Sequence, residues 1–150
     1  MSLRRSRARR GTSLVEFAIV CPITFFLVFS IMIGSVGIFR YQQVAALARE
    51  GSRWASVHGQ EYEMETGNSA ATAEDIFEQA IAPQATTLDA SRLSYEVQWN
   101  NSNAPISIDP QTEKVRGNTV VVTVKYQWIP ELYVVGPIEL KSSSSSQMMY

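Results

Sequence analysis

Glu16 is the one charged residue between Arg10 and Arg40. It stands where a 23-residue uncharged run, residues 17–39, begins. A carboxylate at the edge of lipid is costly unless it is paired. Two chemistries answer that cost. Ser13-x-x-Glu16 has the spacing of a capping box, in which serine and glutamate each satisfy the other's backbone N–H at a helix start. The other is hydrolysis. A peptidase cutting after Gly11 makes Thr12 a new N-terminus with a positive amine, and Glu16 then lies one turn into the helix. Amine and carboxylate attract by about 4 kcal/mol at about 4 Å and an effective dielectric near 20, before desolvation. Pairing between neighbouring subunits would set their axial register. The cap alone leaves one feature unexplained: the arginines Arg4, Arg5, Arg7, Arg9 and Arg10 stop abruptly at Gly11.

Arg49, Glu50, Gly51 and Arg53 form a second candidate, either a contact for a partner or a solvated helix face. Gly51 is hard to justify by propensity, since glycine costs about 1 kcal/mol in a helix interior. A close backbone contact is the expected reason. Catalysis has little to build on. His58 is the only histidine and has no nucleophile at a recognisable spacing. Alternating Glu61, Glu63 and Glu65 read as a solvated loop rather than a cation site. Cys21 is the only cysteine, which excludes an intrachain disulfide and a cysteine metal site. No cofactor, no metal and no enzymatic activity are expected. Trp54, Trp99 and Trp128 read as core residues, with a carbohydrate platform as the alternative should two share an exposed face.

The elements that position these residues follow from periodicity. Residues 12–39 are expected to form a transmembrane helix, since the 23 uncharged residues 17–39 within it span about 35 Å at 1.5 Å each. Pro22 within it removes a backbone donor, and a kink is expected there. Residues 40–57 extend the helix, with Tyr41, Val44, Ala45, Ala48, Ser52 and Ala55 on one stripe and Gly59 as its stop. Residues 60–71 read as a loop. Residues 73–82 read as a short helix capped by Thr72, burying Ile76, Phe77, Ala80 and Ile81 and ended by Pro83. Leu93–Trp99 and Val120–Trp128 alternate with a period of two and are expected to pair antiparallel. Asn100–Asn118 reads as a long irregular connection. Ser142–Ser146 suits a linker by composition, yet Ile138 to Tyr150 is better read as a third strand. The fold class is therefore α+β: a long N-terminal transmembrane helix packed on a small antiparallel sheet, in the manner of a pilin. Four segments result: a basic leader 1–11, the span 12–39, its extension 40–57 and a body 58–150.

Charge orients the chain. Beyond residue 11 there are eight basic residues against 14 acidic ones, a net −6, which argues against nucleic acid as a partner. The basic head belongs in the cytoplasm by the positive-inside rule, and the body belongs outside. Ser35-Val36-Gly37 offers small residues for a signal peptidase, but the apolar run is longer than a signal peptide needs.

Arg10-Gly11, Leu14-Val15-Glu16-Phe17-Ala18 and Pro22 resemble the prepilin-type leader of type IV pilins and pseudopilins. With Ala48-Arg49-Glu50-Gly51-Ser52-Arg53-Trp54-Ala55, residues 10–55 resemble the TadE-like family of the tight-adherence (Flp) pilus system. The resemblance implies cleavage between Gly11 and Thr12 by a prepilin peptidase of the bacterial inner membrane. It implies Glu16 as the fifth mature residue, acting in assembly. It implies a minor pseudopilin or pilus-assembly protein, with the peptidase and other pilin subunits as partners. Thr12 departs from the phenylalanine or methionine that commonly begins mature major pilins, and the body is far larger than a major Flp pilin; both favour a minor role. A signal-anchored extracytoplasmic binding module with no pilus role is the alternative.

Overall fold

The computed structural model describes residues 6–109, 111, 113–130 and 136–149, and the side chains of residues 11 onward within them. Arg4 and Arg5, and the side chains of Arg7, Arg9 and Arg10, lie outside the described residues, as does Tyr150. The chain divides into two compact units, one ending at Gly37 and one beginning at Ile38.

Helix α1 runs Ser6–Val57 and passes through Pro22. In the first unit its surface is open: residues 11–20 are all exposed, as are Phe25, Phe26 and Phe29. The segment is long and apolar enough to cross a membrane, and none of its most apolar stretch is buried within the chain.

In the second unit α1 presents a stripe of Val44, Leu47, Ala48, Gly51, Ser52, Ala55 and Ser56, all buried. The spacing of three and four is that of one helix face. It departs from the expected stripe in both directions: Tyr41 is exposed and Ala45 only half-buried, whereas Leu47, Gly51 and Ser56 are buried on it.

Val57 ends α1, and Gly59 becomes the extended cap of a second helix, α2 (Gln60–Thr66), where a loop was expected. Gly67 closes it in the left-handed conformation (φ 75°), its N–H bonding to the carbonyl of Glu63. Thr72 then starts α3 (Ala73–Ile76) through a reciprocal capping box with Asp75. The expected single helix over 73–82 is instead three short turns. α3 widens into a π turn over Phe77–Ile81 and tightens into a 3-10 turn over Ala82–Gln84 that contains Pro83. Ile76, Ala80 and Ile81 are buried as expected, whereas Phe77 is half-buried, its ring stacked on Tyr95 with centroids 4.6 Å apart.

The sheet has the order β1-β4-β5 and is antiparallel throughout: β1 (Leu93–Trp99), β4 (Thr119–Trp128) and β5 (Ile138–Gln147). Leu93 stands opposite Tyr126, and Trp99 opposite Val120. Val120, Val122 and Val124 have no exposed surface and form the centre of the core. Ser142–Ser146 is strand. Its backbone pairs with Val120–Val124, and its alternate serines Ser142, Ser144 and Ser146 point inward. The connection 100–118 is not wholly irregular: a two-stranded hairpin, β2 (Ile106–Ile108) with β3 (Val115–Gly117), folds within it. The fold is thus α+β, with the later part of α1 and the α3 segment against one face of a small antiparallel sheet.

Candidate functional site

The Gly11–Glu16 segment is helical and exposed. Because α1 begins at Ser6, Ser13 lies inside the helix and not at its start. The capping-box reading of Ser13 and Glu16 therefore fails in the intact chain, where the backbone N–H groups at those positions already have intrahelical acceptors. A Cβ placed on Gly11 would meet nothing within 4 Å. No packing among the described residues requires glycine there, and glycine weakens the helix. Glu16 is exposed, next to Phe17 at 68% exposure and Val15 at 62%. A charge is thereby set in an apolar surface.

The second candidate is split by the fold. Arg49 and Arg53 are exposed and Glu50 is half-buried, so these three are open to a partner. Gly51 turns inward. A Cβ there would stand 3.1 Å from Val122 Cγ1 and 3.4 Å from Ile81 Cδ1. The close backbone contact expected at Gly51 is thus present, but it is made by the chain's own sheet and π turn.

Close to Gly51 the helix meets β5 through hydroxyls. Ser52 Oγ donates to Ser144 Oγ at 2.9 Å, and Ser146 Oγ donates to Ser52 Oγ at 3.1 Å. Beyond them the Met149 N–H donates to the Ser56 carbonyl at 2.9 Å. At the other end of the body Arg40 Nη1 donates to the Thr87 carbonyl at 2.6 Å, and Gln43 Nε2 to Thr87 Oγ1 at 2.7 Å. Arg49 and Arg53 accordingly project from a helix that is anchored on both sides of them.

The remaining residues singled out in the sequence separate further. Trp128 is buried at 7% exposure, and Trp54 and Trp99 are half-buried. His58 stacks on Trp54, with ring centroids 4.0 Å apart and planes 13° from parallel, and meets Tyr62 edge-on at 4.7 Å. Sequence reasoning missed this ladder because 60–71 was read as loop. Its signal was present in aromatic residues at 54, 58 and 62, four apart. Glu61, Glu63 and Glu65 lie on α2 and are exposed. Among the described residues no three His, Cys, Asp or Glu side chains gather closely enough to hold a metal ion.

Residues 11–53 match the family described as TadE-like protein. The match covers under a third of the chain and takes in Glu16 and the Arg49–Arg53 segment. It is the family that the leader and the Ala48–Ala55 motif resemble. No curated protein and no solved structure matches the chain.

Proposed function

We propose that this chain is a minor pseudopilin or assembly protein of a Tad/Flp-type pilus, matured by a prepilin peptidase that cuts between Gly11 and Thr12. The observation that carries the reading is Gly11 itself. It weakens a helix and makes no packing contact among the described residues, and the TadE-like match begins on it. A residue kept for recognition by a peptidase has that profile. The role is structural and not catalytic. The partners are the peptidase, other pilin subunits and the bacterial inner membrane. The basic head remains cytoplasmic, α1 crosses once, and the acidic body lies outside.

After the cut, Glu16 supplies the charge that pairs with an N-terminal amine, its own or a neighbour's. An exposed carboxylate among exposed Leu14, Val15 and Phe17 is suited to that. Arg49, Glu50 and Arg53 offer a charged face for a subunit partner, held in place because Gly51 seats the helix on its own sheet.

The test is the N-terminus of the mature protein, isolated from membranes with the peptidase present and absent. A start at Thr12 only when the peptidase is present is expected. A chain that keeps Arg4–Arg10 in both would overturn the reading in favour of an anchored binding module. A start near Ile38 would make the body a secreted domain.

A further inference from the structure

The second unit begins at Ile38, so its first two residues are the last of the uncharged run, and Arg40 is the first charge beyond it. That run covers about 35 Å as a helix, against a hydrocarbon core of about 30 Å, which sets the Arg40 side chain at the depth of the lipid headgroups. Ile38, Phe39 and Tyr41 around it are exposed. The positive-inside rule gives no reason for a cation on the side where the body lies.

The guanidinium of Arg40 is only partly spent. Nη1 donates to the Thr87 carbonyl at 2.6 Å and to Gln43 Oε1 at 3.2 Å. Among the described residues Nε and Nη2 have no acceptor, and no carboxylate pairs with Arg40. The open edge, Nε with Nη2, is one that meets two oxygens of a carboxylate or phosphate through parallel hydrogen bonds. Thr87 adds a donor beside it. Its Oγ1 accepts from Gln43 Nε2 at 2.7 Å, which leaves the exposed hydroxyl its own O–H to give. A negatively charged group that only accepts satisfies these donors together. At headgroup depth the phosphate diester of a phospholipid has that chemistry.

The Thr87 bond also selects which end of the body faces the bilayer. Ala85 and Leu88, on either side of Thr87, are buried in the body. The turn continues through Asp89 into β1, whose first residue, Leu93, stands opposite Tyr126 near the late end of β4. The other end of the sheet lies toward Met149, which bonds to Ser56 about 24 Å farther along α1.

We propose that Arg40 and Thr87 bind the phosphate of a membrane phospholipid, and that this contact seats the 85–92 turn of the body on the bilayer surface. The inference rests on the reading of α1 as a single span and is independent of any role in a pilus.

The experiment is NMR of the full chain, with the Arg40 Nε–H signal identified as the one lost in Arg40→Lys. The chain is compared in three media: micelles of a polyoxyethylene detergent, which holds no phosphate; the same micelles with inorganic phosphate; and micelles of dodecylphosphocholine. A downfield shift and slowed solvent exchange of that proton in phosphocholine alone are expected. In phosphatidylcholine nanodiscs that carry a gadolinium-chelate lipid, the amides of Thr86, Thr87 and Asp89 should broaden. Those of Asn100, Asn101 and Ser102, at the far end of the sheet, should stay sharp. An Arg40 Nε–H signal unchanged by phosphocholine would overturn the site. The same shift with inorganic phosphate would make it a site for a free anion and overturn the lipid. A sharp Thr86–Asp89 turn would overturn the seating while leaving the span intact. Amides of Phe25–Phe29 broadened by a water-soluble gadolinium chelate would overturn the span, and the proposal with it.

Discussion

Gly51 and Val122 approach so closely that a side chain on the helix would crowd the strand: a Cβ on Gly51 would lie 3.1 Å from Val122 Cγ1. Val122 sits in the middle strand with no exposed surface, so it has little freedom to withdraw. Gly51→Ala gains about 1 kcal/mol of helix propensity and loses about 1–3 kcal/mol to overpacking. The expected net is a loss of about 1 kcal/mol, read from chemical denaturation. Gly51→Leu should prevent the helix from seating on the sheet. In a double-mutant cycle, Val122→Ala should cost less in the Gly51→Ala background than alone, because the smaller side chain relieves the crowding.

Ser52 is 1% exposed and bonded to two serine hydroxyls. Ser52→Ala should cost about 1 kcal/mol. The triple change of Ser52, Ser144 and Ser146 to alanine should cost less than three single losses summed, since it leaves no buried hydroxyl without a partner. Equilibrium unfolding of the four variants checks this.

Much of this arrangement was legible in the chain. The alternation in Leu93–Trp99 and Val120–Trp128 gave both strands and their pairing, because one face of each is buried. Thr72 gave its cap because a threonine three residues before an aspartate, following the polar Gly67–Ala71 break, can satisfy the first N–H groups of a helix. The short α2 was not legible. It buries no residue, so no apolar period marks it. Nor was the division of 73–84 into three kinds of turn, since α, π and 3-10 turns differ by one residue in a hydrogen bond and not in residue type. The serine strand was ambiguous for another reason. Its structure comes from backbone pairing with β4 and from the closeness of α1, and neither leaves a mark on composition. At the N-terminal segment the sequence offered both a cap and a cut. The helix start at Ser6 removed the first.

Asn118, 1% exposed, ties the β2–β3 hairpin to the sheet. Its Nδ2 donates to the Ala104 carbonyl at 2.8 Å and to Ser102 Oγ at 3.2 Å, and its Oδ1 accepts from Ser107 Oγ at 2.9 Å. Asn118→Ala leaves these groups without their partner and should cost about 2–3 kcal/mol. Hydrogen exchange should show the amides of residues 102–109 speeding up while Val120–Val124 stay protected.

The Asp75 carboxyl is lowered by its bonds from Thr72, and the Asp89 carboxyl by bonds from Ser91. A carboxylate with a depressed folded value stabilises the fold above the ordinary aspartate value, about 3.9. That contribution is lost as pH falls through the folded value. Stability should therefore decline as the solution is acidified below about pH 4. Thr72→Ala should return Asp75 toward the ordinary value and flatten its share of the decline. NMR titration of the two carboxyl carbons measures both, with Asp89 unchanged in that variant as the internal control.

Glu16→Ala should leave peptidase cleavage and the melting of the body unaltered, because the residue is exposed and lies in the first unit. It should reduce incorporation or assembly about tenfold, the effect of losing about 1.4 kcal/mol of charge pairing per contact. Immunoblotting of sheared surface fractions against membrane fractions gives the ratio.

Strand β5 also dictates the order in which the body can be completed during synthesis. Ile138–Gln147 supplies one whole side of β4's pairing, and Met149 joins the carbonyl of Ser56, which lies more than 90 positions earlier among the first elements of the body. While residues 138–149 are still within the ribosome, β4 has an open edge and α1 lacks its hydroxyl partners. The chain must therefore hold an unfinished body until that strand emerges. A stall in translation before Ile138 would leave an intermediate with an unpaired, valine-rich edge, open to proteases and to the same edge on a neighbouring nascent chain.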